Sequence, residues 1–183
     1  MRIISGTYKG RRIQAPKKLP VRPTTDLAKE SLFNILNNQY HFSQLSVLDL
    51  FTGIGSISLE FGSRGTTDIT AVDAHFGCVA FVKNTAKDFE LPITTIKSDA
   101  YDFLEKNNGN YDIIFADPPY DFEQTQFAKI ATLAFENKLL KINGVLIIEH
   151  SKHTKLDKIS NYSHSRNYGG SVFSFFESKN IEE

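Results

Sequence analysis

The tetrapeptide Asp117-Pro118-Pro119-Tyr120 closes the apolar run Tyr111–Ala116 and is the most chemically specific feature of the chain. Its two prolines remove two backbone donors and stiffen the turn, so the carbonyls and the Asp117 carboxylate are held outward. Tyr120 adds a flat ring on which a base can stack. The set suits a planar exocyclic amine, with Asp117 and the Pro118 carbonyl accepting its hydrogens while the ring clamps the base. A stiff strand-to-helix turn with no further role is the alternative.

Acids ending other apolar runs weigh against that alternative. Asp49-Leu50-Phe51-Thr52-Gly53-Ile54-Gly55 carries two glycines that let a strand turn sharply and expose bare backbone to a ligand. The third glycine of a dinucleotide loop is Ser58 here, and Asp49 would repel a pyrophosphate but pair with a cationic ligand. Asp73 lies twenty positions after Gly53, a spacing that suits a carboxylate accepting from both hydroxyls of a ribose. Asp99 could accept from an adenine amino group or simply cap the next helix. A tight turn, a surface aspartate and a cap each explain one of these features alone. Together they outline a site for an adenosine bearing a positive group.

The elements that must position these residues are legible as periodicity. Short apolar strands fit Val47–Leu50, Ile69–Val72, Ile93–Ile96, Tyr111–Ala116 and Val145–Ile148. Helices fit Thr25–Asn38, Ile57–Gly62, Gly77–Phe89, Asp99–Glu105 and Glu123–Asn137. Such alternation predicts a largely parallel α/β sheet with helices on both faces. Ser160–Tyr168 and Ser171–Glu177, separated by Gly169-Gly170, read as an antiparallel hairpin at one edge. In such sheets ligands bind beyond the carboxyl ends of the strands, where the acids fall.

The chain has 183 residues and no net charge, but the charge is unevenly placed. Residues 1–29 hold eight cations against Asp26 alone, a net of +7, which leaves −7 in the rest. The leader is a solvated tail or an arm that grips phosphates. Ile3-Ile4, Tyr8, Ile13, Gly6 and Gly10 break up its charges and favour a short β-hairpin. No window approaches the roughly 18 apolar residues of a membrane span, and Met1–Gly6 lacks the apolar run of a signal peptide. With lone Cys78 offering neither disulfide nor Cys-rich metal cluster, a cytoplasmic, metal-free protein is expected.

Asp49–Gly55 resembles the S-adenosylmethionine loop of class I methyltransferases, and Asp117–Tyr120 resembles their amino-methylating DPPY signature. The wider pattern is similar to the RsmD family, bacterial 16S rRNA guanine-N2 methyltransferases. It runs through Arg2-Ile3-Ile4-Ser5-Gly6, Lys9-Gly10-Arg11-Arg12, Arg22-Pro23-Thr24-Thr25-Asp26, Lys29–Leu36, Ser63-Arg64-Gly65 and Tyr168-Gly169. At Ile54, Ser56 and His75 the chain departs from many relatives.

The resemblance implies a Rossmann-like, seven-stranded fold with a small N-terminal hairpin. It divides the chain into a basic arm, 1–23, and a methyltransferase domain, 24–183. S-adenosylmethionine is the expected cofactor, held by Asp49, Phe51, Gly53, Gly55, Asp73, Asp99 and Asp117. Asp117, Pro118 and Tyr120 are the expected catalytic residues, and Lys9, Arg11, Arg12 and Arg22 the RNA contacts. Arg22-Pro23-Thr24 would lie near the methyl donor. The expected partner is 16S rRNA in an assembled or partly assembled small subunit, met by a monomer. An N6-adenine methyltransferase of RNA or DNA shares the chemistry and is the alternative. A nicotinamide-dependent oxidoreductase is disfavoured by Ser58 and the diproline turn, and a non-catalytic RNA-binding module has no use for a donor pocket. His150 and Cys78 are expected to be a satisfied polar residue and a packing residue.

Overall fold

The computed structural model describes residues 1–21 and 24–178. Seven strands form one sheet: β1 (Ser46–Leu50), β2 (Asp68–Asp73), β3 (Ile93–Lys97), β4 (Tyr111–Ala116), β5 (Leu140–Ser151), β6 (Tyr162–Tyr168) and β7 (Ser171–Glu177). Their order is β3-β2-β1-β4-β5-β7-β6. The first five are parallel, and β7 inserts antiparallel between β5 and β6. Every residue of central β1 is buried, which is why the core strands read as continuous apolar runs rather than as alternation.

Helices α1 (Asp26–Asn37) and α2 (Ser56–Ser63) pack on one face through Leu32, Phe33, Ile57 and Phe61. On the other face, α4 (Ala100–Lys106) and α5 (Gln124–Glu136) bury Leu104, Phe127 and Ile130. Helix α3 (Phe76–Asp88) lies against β2 and β3. Thr25 caps α1 by accepting from the Ala28 amide at 3.2 Å, and Glu123 and Gln126 form a capping box on α5.

Two features depart from the sequence reading. β5 begins at Leu140, ahead of the expected Val145, because Lys141, exposed Asn143 and Gly144 break the apolar run that marks a buried strand. Asn143 there sits at φ +65°, and the register against β4 shifts between Tyr111 and Ile113. A 3₁₀ turn at Phe42–Gln44 was not legible; it buries Phe42 against Phe33 and Phe61.

The basic leader is sewn to the body. Its hairpin character is confined to an antiparallel Arg2–Arg12 bridge, flanked by bonds from the Ile3 amide to the Arg11 carbonyl (3.0 Å) and from the Ile13 amide to the Met1 carbonyl (2.9 Å). Ile3 and Ile13 are buried with Leu59 of α2. Gly6, at φ +83°, lies so close to α2 that a Cβ would stand 1.9 Å from the Ser63 carbonyl oxygen, so only glycine fits. The buried Glu60 carboxylate accepts from the Ile4 and Ser5 amides at 2.8 and 3.0 Å and pairs with Arg64 at 2.8 Å. Lys29, fully buried on α1, places its Nζ 3.7 Å from Glu60 and donates to the Arg2 carbonyl at 2.6 Å. Lys29 is therefore withdrawn from the leader's exposed charge, and Arg2 is paired with Asp26 at 3.3 Å.

Candidate active site

A cavity of about 570 Å³ opens beyond the carboxyl ends of β1, β2 and β4. Its volume lies within the roughly 300–1,000 Å³ usual for small-molecule sites. Of the residues singled out in the sequence, Asp49, Phe51, Gly53, Asp73, Asp99, Asp117, Pro118 and Tyr120 all line it.

Asp49, at the end of β1, is buried, and its Oδ2 accepts from the Thr52 hydroxyl (2.7 Å), the Ser58 hydroxyl (2.5 Å) and the Ser58 amide (3.2 Å). Ser58, standing where a dinucleotide loop would have glycine, thus braces the first acid of the site. Phe51 takes φ +58°, rare for an aromatic residue, and strain of this kind is concentrated at ligand sites. The Gly53 amide donates to Asp73 Oδ2 at 2.9 Å, and the His75 amide donates to Asp73 Oδ1 at 2.8 Å. Each Asp73 oxygen keeps acceptor capacity beyond that one bond. Gly55 is not on the cavity wall. It caps α2 at φ +77°, and a Cβ there would meet Val82 of α3 at 2.9 Å, so its glycine serves helix packing.

Asp99 caps α4, accepting from the Tyr101 and Asp102 amides at 2.8 and 3.2 Å, while still facing the cavity. Beside it Phe51 meets Phe122 edge-on with centroids 5.7 Å apart, and Tyr101 stacks on Phe122 at 6.4 Å. The stiff turn after β4 is closed by the Phe122 amide donating to the Pro119 carbonyl at 3.1 Å. Tyr120 stands half-exposed at the rim.

The site's charge is lopsided. Burial pushes Asp117 well above the usual carboxylate range, and the negative charges of Glu149 and then Asp49 push it further. Burial raises Asp49 to about 6 against the pull of its Ser58 and Thr52 bonds. Buried Glu149 of β5 accepts from the Thr24 hydroxyl at 2.8 Å, and Thr24 is itself on the cavity wall. The Ser56 hydroxyl, also on that wall, is buried without a hydrogen-bond partner, which is a cost unless a ligand meets it. Among the described residues no group of His, Cys, Asp and Glu is arranged to hold a metal ion.

Asp49 carries a stability signature. With a folded pKa of about 6 against an ordinary 3.8, the folded chain holds a proton that the unfolded chain has lost between those values. This group therefore opposes folding increasingly as pH rises from about 4 to 6, by on the order of 3 kcal/mol in all. Asp49→Asn should lose less melting temperature than the parent between pH 4 and 6.5. Parallel melting curves across that window would contradict the assignment.

The sequence reading does not single out the wall positions Pro20, Val21, Ala74 and Phe122. His75 also lines the cavity and caps α3, its Nδ1 accepting from the Cys78 amide at 3.3 Å. His150 is satisfied by Ser174 Oγ at 2.7 Å and the Ser151 carbonyl at 2.9 Å, as expected. Cys78 is buried, with its thiol pushed up to about 11 by burial. Lys9, Arg11 and Arg12 are exposed but are not at the cavity. Arg11 lies over the Phe89 ring at 5.5 Å, just past the far end of α3. Arg22 lies outside the described residues.

The family described as conserved hypothetical protein 95 matches residues 1–177. A Buchnera aphidicola (subsp. Baizongia pistaciae) protein named ribosomal RNA small subunit methyltransferase D is 34% identical, over 81% of this chain and 75% of its own. A Haemophilus influenzae protein of the same name is 32% identical over 89% and 85%. The chain belongs to the RsmD family. A solved hypothetical protein from Thermus thermophilus shares the fold of this RsmD-family chain at a TM-score of 0.84, with 22% identity, covering 97% of this chain and 99% of that one. The sheet order, the antiparallel β7 and the structural neighbours make the fold that of a class I methyltransferase. Within that fold the Ile4 and Ser5 amides of the RsmD-like leader segment Arg2–Gly6 donate to the Glu60 carboxylate, which gives this part of the resemblance a physical basis.

Proposed function

We propose that this RsmD-family chain transfers a methyl group from S-adenosylmethionine to the exocyclic N2 amine of a guanine in 16S rRNA of the small ribosomal subunit. The carrying observation is that Asp117 and Pro118 share one cavity with the Phe51–Gly53 loop and with Asp73. The residues fit the cofactor: Asp73 retains acceptor capacity for a ribose diol, and Ser56 offers an unpartnered hydroxyl. Half-buried Asp117 lies near the buried carboxylates of Asp49 and Glu149, where a cation would relieve their repulsion.

When bound, the cofactor supplies a methyl carbon made electrophilic by a sulfonium. The chain does the rest. Asp117 and the Pro118 carbonyl accept the two amine hydrogens, which favours a pyramidal nitrogen with its lone pair free. As positive charge grows on that nitrogen, the half-buried Asp117 carboxylate stabilises it more strongly than water would. Its raised pKa also suits an Asp117 oxygen to receive the proton the nitrogen sheds afterwards. Tyr120 at the rim offers a face to the base, which must leave its stack to enter. Positioning alone contributes on the order of 7–11 kcal/mol to such reactions.

The exposed Lys9, Arg11 and Arg12 would hold phosphates some way from the reacting base, since the thirteen residues of α3 span about 20 Å. Arg11→Ala with Arg12→Ala should make the slope of log affinity against log salt shallower by about 1–2. An unchanged slope would remove the leader from the interface. The reaction is tested by incubating the protein and labelled cofactor with unmethylated small subunits, followed by nucleoside analysis. Label in N2-methylguanosine supports the proposal; label in N6-methyladenosine points to the adenine reading, and no label refutes both.

A further inference from the structure

Resting on the reading that the substrate is RNA, we infer that Phe76, flanked by Lys17 and Lys18, is a stacking post at the cavity mouth that receives an unpaired base beside the target nucleotide. Phe76 is 70% exposed at the first position of α3, directly after the wall residues Asp73, Ala74 and His75. An aromatic ring so placed has no packing explanation, because the face of α3 that packs is carried by Cys78, Val82 and Ala86.

The leader brings charge to this ring. It contacts the far end of α3 through Tyr8, which stacks on Phe89 at 4.8 Å. It returns at the near end, where a Cβ on Gly77 would lie 2.9 Å from both Leu19 and the His75 ring. The Pro16–Leu19 turn, closed by a 3.1 Å bond from the Leu19 amide to the Pro16 carbonyl, therefore sits against the start of α3. Its Lys17 and Lys18 are exposed. The leader thus sets cations at both ends of α3, and the track finishes at an outstanding aromatic ring.

Side-chain cations beside a flat apolar face are what single-stranded RNA requires: charge for phosphates, a ring for a base, and no demand on base identity. A folded protein partner would want a broader apolar face than one ring. The reach is suitable, because β2, which leads to Phe76, and β4, which leads to Asp117, are two strand spacings apart, about 10 Å. A flexible strand spans that within a few nucleotides, so the neighbour of an extruded target base can reach the ring.

The chain contains no tryptophan, so Phe76→Trp introduces a single reporter indole. This variant is titrated with an unstructured oligoribonucleotide, and separately with inorganic polyphosphate of matched charge. Indole emission should be quenched by the oligoribonucleotide and left unchanged by polyphosphate. Phe76→Ala should weaken oligoribonucleotide affinity about 5–150-fold, with Phe76→Tyr close to the parent and cofactor affinity untouched. Lys17→Ala with Lys18→Ala should flatten the salt slope by about 1–2 while leaving the quench at saturation intact. Saturation without quenching, equal quenching by polyphosphate, parental affinity in Phe76→Ala, or no oligoribonucleotide binding by the parent would each overturn the inference. The indole readout does not depend on methyl transfer. N6-methyladenosine as product would refute the guanine reading and leave the stacking post standing, whereas N2-methylguanosine without a quench would refute the post alone.

Discussion

Asp117→Ala is expected to slow methyl transfer about 10²–10³-fold under single-turnover conditions, the loss usual when one preorganised stabilising group is removed. The effect should fall on the chemical step. Asp73 and the Gly53 backbone, on the cofactor side of the cavity, are untouched, so cofactor affinity should change only a few-fold. Asp117→Asn is the sharper variant, because its amide keeps one acceptor oxygen but adds hydrogens directed at an amine that also needs acceptors. It should fall between the parent and the alanine variant. A near-parental rate in Asp117→Ala would reject the role, whatever happened to binding. The same experiment repeated across pH carries a sign: burial and the Glu149 charge raise Asp117, so its ionised form is lost on acidification before that of an ordinary aspartate. The rate should decline on the acid side in the parent and lose that limb in Asp117→Asn.

Glu60→Ala should be strongly destabilising. It strips partners from the Ile4 and Ser5 amides, from Arg64, and from the fully buried Lys29 ammonium at once. Burial already lowers the Lys29 pKa, with Glu60 opposing that shift, so deleting the carboxylate leaves the ammonium without its main compensation. Breaking a buried ion pair from one side costs about 3–5 kcal/mol, which for a domain of this size lowers the melting temperature by roughly 6–20 °C. Lys29→Met in the same background should recover part of the loss, because the stranded charge goes with it. A melting temperature within a degree or two of the parent would show that Glu60 is not the clasp between leader and body. Arg64 also lies over the Phe33 ring at 4.6 Å, so the network ties the leader to the aromatic core beneath α1 and α2.

The contrast between these two residues shows what the sequence exposes. Asp117 is legible because its chemistry is local: prolines, an acid and an aromatic in one tetrapeptide leave few other readings. Asp49, Asp73 and Asp99 were legible by placement, since a parallel sheet delivers strand ends to one rim. Glu60 gives no such sign. It sits in a short helix, α2, whose every residue is buried, and its importance comes from amides of residues more than fifty positions away. Thr24 and Glu149 are likewise joined across 125 positions, a pairing no local pattern reports. Strand and helix positions were readable because hydrophobic periodicity is a property of one segment. The start of β5 is not, because Lys141, Asn143 and Gly144 interrupt the apolar run and Ile142 faces solvent while the backbone goes on pairing. The loop pattern makes Gly55 look ligand-facing, but the approach of Val82 explains it better. Lys29 contributes to the +7 of residues 1–29, but it is buried.

The most direct test is a crystal structure with S-adenosylhomocysteine, the spent form of the donor. The ribose hydroxyls are expected on Asp73, the adenine between the Asp99 side and Phe51, and the sulfur directed toward Asp117 and Pro118. A product molecule lodged elsewhere, or one whose sulfur points away from the Asp117 corner, would contradict the proposed geometry of methyl transfer.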